Sequence, residues 1–223
     1  MTADLWPGGV RTPRLIAFEG LDGTGKTRLT TLLSEATGIP RTATPGPDYD
    51  ALRSALHTAG GLASYLMYLS GCAQAVESAA RAGEPALLVD RYWFSSAVQH
   101  GWNLGLRPDQ ALGGTDNPRL LLPRPDLTVL LTSDRPARLR RLGGRPDGSP
   151  HARPLGDSGP GYERYWLSCA ELLAAEPTGD PVLSLDTTSD DCAPPLARLL
   201  AHPVVRGLTG PATGGLTTEG TQP

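Results

Sequence analysis

The residues best equipped for chemistry lie together between Gly20 and Thr27. Gly20-Leu21-Asp22-Gly23-Thr24-Gly25-Lys26-Thr27 fits the pattern GxxxxGK[ST], in which glycines let backbone N–H groups turn inward around phosphates and the following helix adds its positive end. Gly20, Asp22, Gly23, Thr24, Gly25, Lys26 and Thr27 are accordingly the expected nucleotide-binding set. Lys26 would reach the β- and γ-phosphates of a nucleoside triphosphate, and the Thr27 hydroxyl would ligate Mg2+. Composition singles out the same place, because Lys26 is the only lysine among 20 basic residues. A compact, rotatable ammonium does what a planar guanidinium cannot, so one lysine in an otherwise all-arginine chain marks a site that needs it. A chance glycine turn is the competing reading, and the apolar run before the loop and the helix start after it argue against that.

Such a loop needs a strand to deliver it and a helix to follow it. Leu15-Ile16-Ala17-Phe18 reads as a short buried strand, and Lys26 to about Ala36 as a helix closed by Gly38 and Pro40. A weak strand is expected over 39–43 and helical stretches near 48–58 and 62–82. Ala86 to Val89 reads as a second buried strand ending in Asp90-Arg91, Leu127 to Leu131 as a third, and Val182 to Leu185 as a fourth. Between the last two lie an arginine-rich stretch and a helix around Glu163 to Ala175, and a final helix is expected over 195–200. Strands apolar on both faces suit a parallel sheet covered on each side by helices, so the predicted fold class is α/β. Residues 1–13 read as an irregular lead-in, 14–206 as one core domain, and 207–223, rich in Gly, Thr and Pro, as a disordered tail.

Other classes fall away on composition. A net charge of −3 offers no broad basic field for a nucleic-acid polymer. No apolar run approaches the ~20 residues of a bilayer span, and no basic start precedes an apolar stretch, so a cytoplasmic protein without membrane contact is expected. Cys72, Cys169 and Cys192 form no CxxC pair, and His57, His100, His151 and His202 do not cluster with them, which points to reduced thiols. The only asparagines are Asn103 and Asn117, so no NKxD element for guanine exists. Leu69-Ser70-Gly71-Cys72-Ala73-Gln74 superficially matches the transporter-ATPase signature, but it sits too early in too short a chain.

Three elements in order resemble the thymidylate kinase family: Phe18-Glu19-Gly20-Leu21-Asp22-Gly23-Thr24-Gly25-Lys26-Thr27, then Asp90-Arg91-Tyr92 with Ser95, then Pro125-Asp126-Leu127-Thr128. The similarity spans about residues 14–200. It implies a P-loop three-layer α/β/α fold on a five-stranded parallel sheet, transfer of the γ-phosphoryl group of ATP to dTMP with Mg2+, and a homodimer. It also implies that Asp22 faces a substrate hydroxyl or the metal, although a turn aspartate capping local N–H groups remains an alternative. Asp90 would organise Mg2+ and Arg91 would hold donor or acceptor phosphate, with a structural ion pair as the alternative. Arg135, Arg138, Arg140, Arg141, Arg145 and Arg153 fall where the family has its lid, about 134–160, and Arg138, Arg141, Arg145 and Arg153 become candidate transition-state arginines. A solvated basic face is the bland reading of the same stretch.

The acceptor side departs from the family. Thr42-Ala43-Thr44-Pro45-Gly46-Pro47 lacks the Arg-Glu of the usual TREPGG-like turn, and Gly71-Cys72 stands where an Asp-Arg pair is customary. Ser96 and Gln99 occupy the positions that commonly touch thymine, and Tyr65, Tyr68, Trp93, Phe94 and Trp102 could stack on a base, with core packing the bland reading for at least half of them. Arg53, Arg41 or a lid arginine could replace the missing clamp, another nucleotide or small metabolite could be the acceptor, or the chain could bind nucleotide without catalysis. With no arginine compensating, Cys72→Arg should tighten dTMP binding by roughly 1–3 kcal/mol; with Arg53 or Arg41 compensating, it should crowd like charges and help little.

Overall fold

Strands apolar on both faces need neighbours on both edges and cover above and below, and the chain supplies them. In the computed structural model, which describes residues 11–57, 61–113, 122–144, 159–176 and 181–209, β1 (Arg14–Gly20), β2 (Arg41–Ala43), β3 (Ala86–Asp90), β4 (Leu127–Thr132) and β5 (Val182–Asp186) form one parallel sheet. The order is β2-β3-β1-β4-β5. Phe18 of β1 stands opposite Asp90 of β3 and Gly20 opposite Leu131 of β4, so the loop leaving β1 and the acid ending β3 emerge at one edge. Open parallel sheets bind ligands at this carboxyl edge.

Alternate residues of each strand feed two separate cores. Leu15, Ala17, Leu87, Val89 and Leu130 pack against α3 (Gly61–Arg81), α4 (Trp93–Asn103) and α7 (Pro160–Ala175). Ile16, Phe18, Leu88, Val129 and Leu131 pack against α1 (Lys26–Thr37), α8 (Ala193–Ala201) and α9 (Pro203–Thr209). Each fully buried aliphatic or aromatic side chain contributes roughly 1.5–3 kcal/mol. Phe94 and Trp166 meet edge-to-face at 5.7 Å and join α4 to α7. Two further helices, α2 (Asp50–His57) and α6 (Arg135–Gly143), stand near the carboxyl edge, and the short α5 (Pro108–Gly113) closes the α4 side.

The three-layer fold with a five-stranded sheet agrees with the sequence expectation, and the differences have simple causes. β2 starts at Arg41, because Ile39 is drawn into the core beneath α1. α4, α5 and α9 were not anticipated. α9 takes in Gly207, Leu208 and Thr209, three residues assigned in advance to the tail; composition registered the glycine, whereas Val205 is fully buried and Val204 and Leu208 pack beside it.

One close approach ties the sheet edge to α3. A Cβ at Gly71 would lie 2.5 Å from Pro45 Cβ and 2.8 Å from its Cα, so only glycine lets the turn after β2 press this near the helix. Gly71→Ala should therefore cost about 1–3 kcal/mol of stability through overpacking, read as a lower chemical-denaturation midpoint; an unchanged midpoint would mean that the turn yields freely.

Candidate active site

The loop after β1 holds Lys26 in a buried position, with Nζ donating to the carbonyls of Gly20 and Leu21 at 2.9 Å each. Burial pushes its pKa down to about 8, the positive Arg91 adds to the effect, and Asp90, Asp22 and Glu19 oppose it. At the start of α1, Thr27 Oγ1 donates to Asp90 Oδ2 at 2.5 Å. Two hard oxygen donors at the mouth of a phosphate-binding loop suit Mg2+, which takes few protein ligands and completes its shell with phosphate and water.

Arg91 follows Asp90 with φ 70, a left-handed conformation rare outside glycine. Holding it there costs roughly 1–3 kcal/mol, so its surroundings must fix it. Its guanidinium donates to Gly20 O at 3.2 Å and Ser95 Oγ at 3.0 Å and pairs with the Asp22 carboxylate. Its carbonyl accepts from Thr44 Oγ1 at 2.6 Å, and Thr44 Oγ1 accepts in turn from the Cys72 thiol at 3.6 Å. Behind it lies Glu19, with no solvent exposure, accepting from the N–H groups of Tyr92 at 2.9 Å and Ser95 at 3.4 Å and from the Ser95 hydroxyl. Desolvation raises the Glu19 pKa, against the pull of Ser95, Arg91 and Tyr92.

On the far side of Arg91, residues of α3 and α4 line an open cleft. Tyr68, Ser96 and Gln99, the residues expected at the acceptor, all line it, together with Arg91, Thr44 and Tyr162. Tyr65 and His100 close one wall as a parallel stack, 4.1 Å between centroids and 1° between planes. Gln99 Nε2 donates to Asn103 Oδ1 at 3.0 Å, and burial lowers the His100 pKa, so the ring end of the cleft is polar and uncharged near neutrality.

Cys72 is not in that cleft. It is 1% exposed, packed in the core, and its thiol pKa is pushed up to about 12 by burial. The position where the family has an arginine is therefore filled by packing, and the gain expected from Cys72→Arg does not follow, since a guanidinium there would enter the core. Arg53 on α2 donates to Pro45 O at 2.9 Å and ion-pairs with Asp50 at 3.5 Å, while Arg41 is exposed on the edge strand.

Arg138 and Arg141 both lie on α6, against the outer rim of the loop. Arg138 is buried and ion-pairs with Glu163 of α7 at 2.6 Å. Arg141 donates to Gly23 O and to the carbonyls of Thr187, Thr188 and Ser189. Arg145 and Arg153 fall outside the described residues.

A sheet edge that presents a phosphate loop on one side of Arg91 and a ring-sized cleft on the other accommodates a phosphoryl donor and an acceptor at once, the arrangement of a P-loop kinase. No family model matches the chain. It is 35% identical over 164 residues to a thymidylate kinase of Xanthomonas campestris pv. campestris strain B100, covering 68% of each chain, and 34% identical over 165 residues to one of Xanthomonas oryzae pv. oryzae strain PXO99A, again covering 68% of each. The fold is shared with thymidylate kinase from Candida albicans, at TM-score 0.58 and 19% identity over 85% of this chain and 91% of that one. It is also shared with deoxyadenosine kinase from M. mycoides, at TM-score 0.55 and 15% identity over 83% and 96%. The chain belongs to the thymidylate kinase family and is a phosphotransferase.

Sequence reasoning gave no role to Glu19, Thr44 or Thr187. A carboxylate directly after an apolar strand was the available signal for Glu19; Thr44 and Thr187 act through contacts distant in sequence and left none. The low pKa of Lys26 has a measurable consequence. Phosphate beside the ammonium raises its pKa, so binding of a nucleoside triphosphate above about pH 8 takes up a proton and weakens as pH rises further. Calorimetric titrations at pH 8.5 in two buffers of different ionisation enthalpy should give different apparent enthalpies; equal values would contradict this.

Proposed function

We propose that the chain transfers the γ-phosphoryl group of ATP to dTMP with Mg2+, giving ADP and dTDP. What carries this reading is the position of Arg91, shared between the loop at Gly20 and Asp22 and the aromatic-walled cleft of Tyr68, Ser96 and Gln99. The thymidylate kinase relatives support the same acceptor.

In this reading the loop and Lys26 hold the β- and γ-phosphates, and Arg91 draws the acceptor phosphate toward them. An acceptor phosphate oxygen attacks the γ-phosphorus as the bond to the β-phosphate oxygen breaks. The second pKa of a phosphate monoester is about 6, so the attacking oxygen carries no proton near neutrality and no general base is needed. Asp22 then serves to orient Arg91. Thr27 and Asp90 would hold Mg2+, which when bound would supply positive charge to offset that of the triphosphate. Tyr68 provides a stacking face, and Ser96 and Gln99 offer hydrogen bonds to the ring edge. The cleft lacks the arginine customary on α3, and this favours, as a second reading, a nucleotide acceptor other than dTMP.

Leu52, Leu62 and Leu66 are exposed on α2 and α3, and this apolar face supports a homodimer; light scattering should give twice the chain mass, and Leu62→Asp with Leu66→Asp should return it to a monomer. For the activity, ADP release is measured with a panel of nucleoside monophosphates, with and without Mg2+. The expected result is turnover with dTMP that needs Mg2+ and is lost in both Lys26→Ala and Lys26→Arg. Turnover with another acceptor alone would select the second reading, and unimpaired Lys26→Arg would remove the special role of the ammonium.

A further inference from the structure

A loop that turns its N–H groups toward phosphate must turn its carbonyls away, and each carbonyl needs a donor if it is not to be left unpaired. From Gly20 to Gly25 every carbonyl has one. Gly20 O accepts from Lys26 and Arg91, and Leu21 O from Lys26 and the Thr24 hydroxyl. Gly25 O accepts from Leu29 N at 3.0 Å inside α1. The three between them face outward and are held from elsewhere in the chain: Asp22 O by Arg138 at 3.4 Å, Gly23 O by Arg141 at 3.1 Å, and Thr24 O by the Thr187 hydroxyl at 2.8 Å, whose one hydrogen is shared with Thr132 O at the same distance.

Arg141 and Thr187 belong to a single brace. One Arg141 amine donates to the carbonyls of Thr187 at 2.7 Å, Thr188 at 3.2 Å and Ser189 at 3.0 Å, and Nε donates to Asp190 at 2.9 Å. Thr187 N also donates to Thr132 O at 2.8 Å, anchoring the turn to the end of β4. α6 itself is pressed against the loop, since a Cβ at Gly23 would meet Arg138 O at 2.7 Å. The guanidinium thus joins main-chain oxygens of two segments, with the Asp190 carboxylate and the Ser133 hydroxyl as further acceptors.

We infer that Arg141 and Thr187 are positioning residues of the donor site, which hold the outward carbonyls of Gly23 and Thr24 so that the loop keeps its inward face set for the phosphates of the triphosphate. The inference rests on the proposed donor chemistry of the loop and is independent of the acceptor. It assigns Arg141 a role through the backbone, with no contact to the transferring phosphoryl group.

The test separates a preset loop from contact with the nucleoside by using inorganic tripolyphosphate with Mg2+ beside ATP as calorimetric probes. Arg141→Ala should weaken both by the same factor, at least about tenfold for a charge-assisted bond, and Thr187→Val should weaken both by about threefold to tenfold. Thr187→Ser, which keeps the hydroxyl, should bind like wild type, and the KM of the acceptor should stay unchanged in all variants. A purely structural role would lower the folded fraction or the melting temperature without moving the dissociation constant of the folded protein. If Arg141→Ala does not fold, Arg141→Lys and Thr187→Val carry the measurement. Unchanged tripolyphosphate binding in folded variants would overturn the inference, as would loss of ATP binding alone, which would make Arg141 a nucleoside contact. Failure of wild type to bind either probe would reject the donor reading, and the inference with it.

Discussion

Glu19 is a carboxylate with no exposure to solvent, and the site is organised around making it tolerable. Burying an unpaired charge costs several kcal/mol, so the carboxylate needs hydrogen bonds or a counter-charge nearby. It takes both. The N–H groups and hydroxyl at the start of α4 bond to it, and the Arg91 guanidinium stands close enough to lower its pKa. The end of β1 is thereby bound to the beginning of α4, and that attachment brings Ser95, Ser96 and Gln99 to the cleft. The unusual backbone of Arg91 belongs to the same arrangement, locked from one side by Asp22 and from the other by the Thr44 hydroxyl.

On the inner side of the loop Lys26 and Arg91 lie among Asp22, Asp90 and Glu19, the last with its pKa raised by burial. In the proposed reading, phosphate oxygens entering this space would depend on the N–H groups of the loop, on the positive end of α1, and on a divalent ion held by Thr27 and Asp90. Arg91, paired with Asp22, is held in one orientation by the chain itself, and in the proposed reading it would exchange part of that contact for phosphate.

Much of the donor half was legible because its elements are local. Gly20 to Thr27 is contiguous, the strand before it is uniformly apolar, and the first helix is closed by a glycine. The strand order and the meeting of Phe18 with Asp90 could be reached only through the family resemblance, since pairing between strands so distant in sequence leaves no local trace. Of the residues expected at the acceptor, Tyr68, Ser96 and Gln99 line one cleft, at spacings set by two different helices. Cys72 misled, because position in a motif does not reveal on which side of a helix the space has been filled. For the arginines of α6, a charge run looks alike in sequence whether its side chains meet solvent or bind main-chain oxygens, as Arg141 does.

The contact between Gly71 and Pro45 also constrains how this sequence can change. An acidic residue at 71 has no room while the turn stays where it is, and an arginine at 72 would displace the thiol that bonds Thr44, which in turn holds Arg91. Positions 44, 45, 71 and 72 are therefore epistatic: a return to the Asp-Arg pair customary on this helix passes through single variants that lose stability before any acceptor contact is gained. Homologues that differ here should vary at the turn and the helix together, and recombination between α2 and α3 would separate residues that function only as a set.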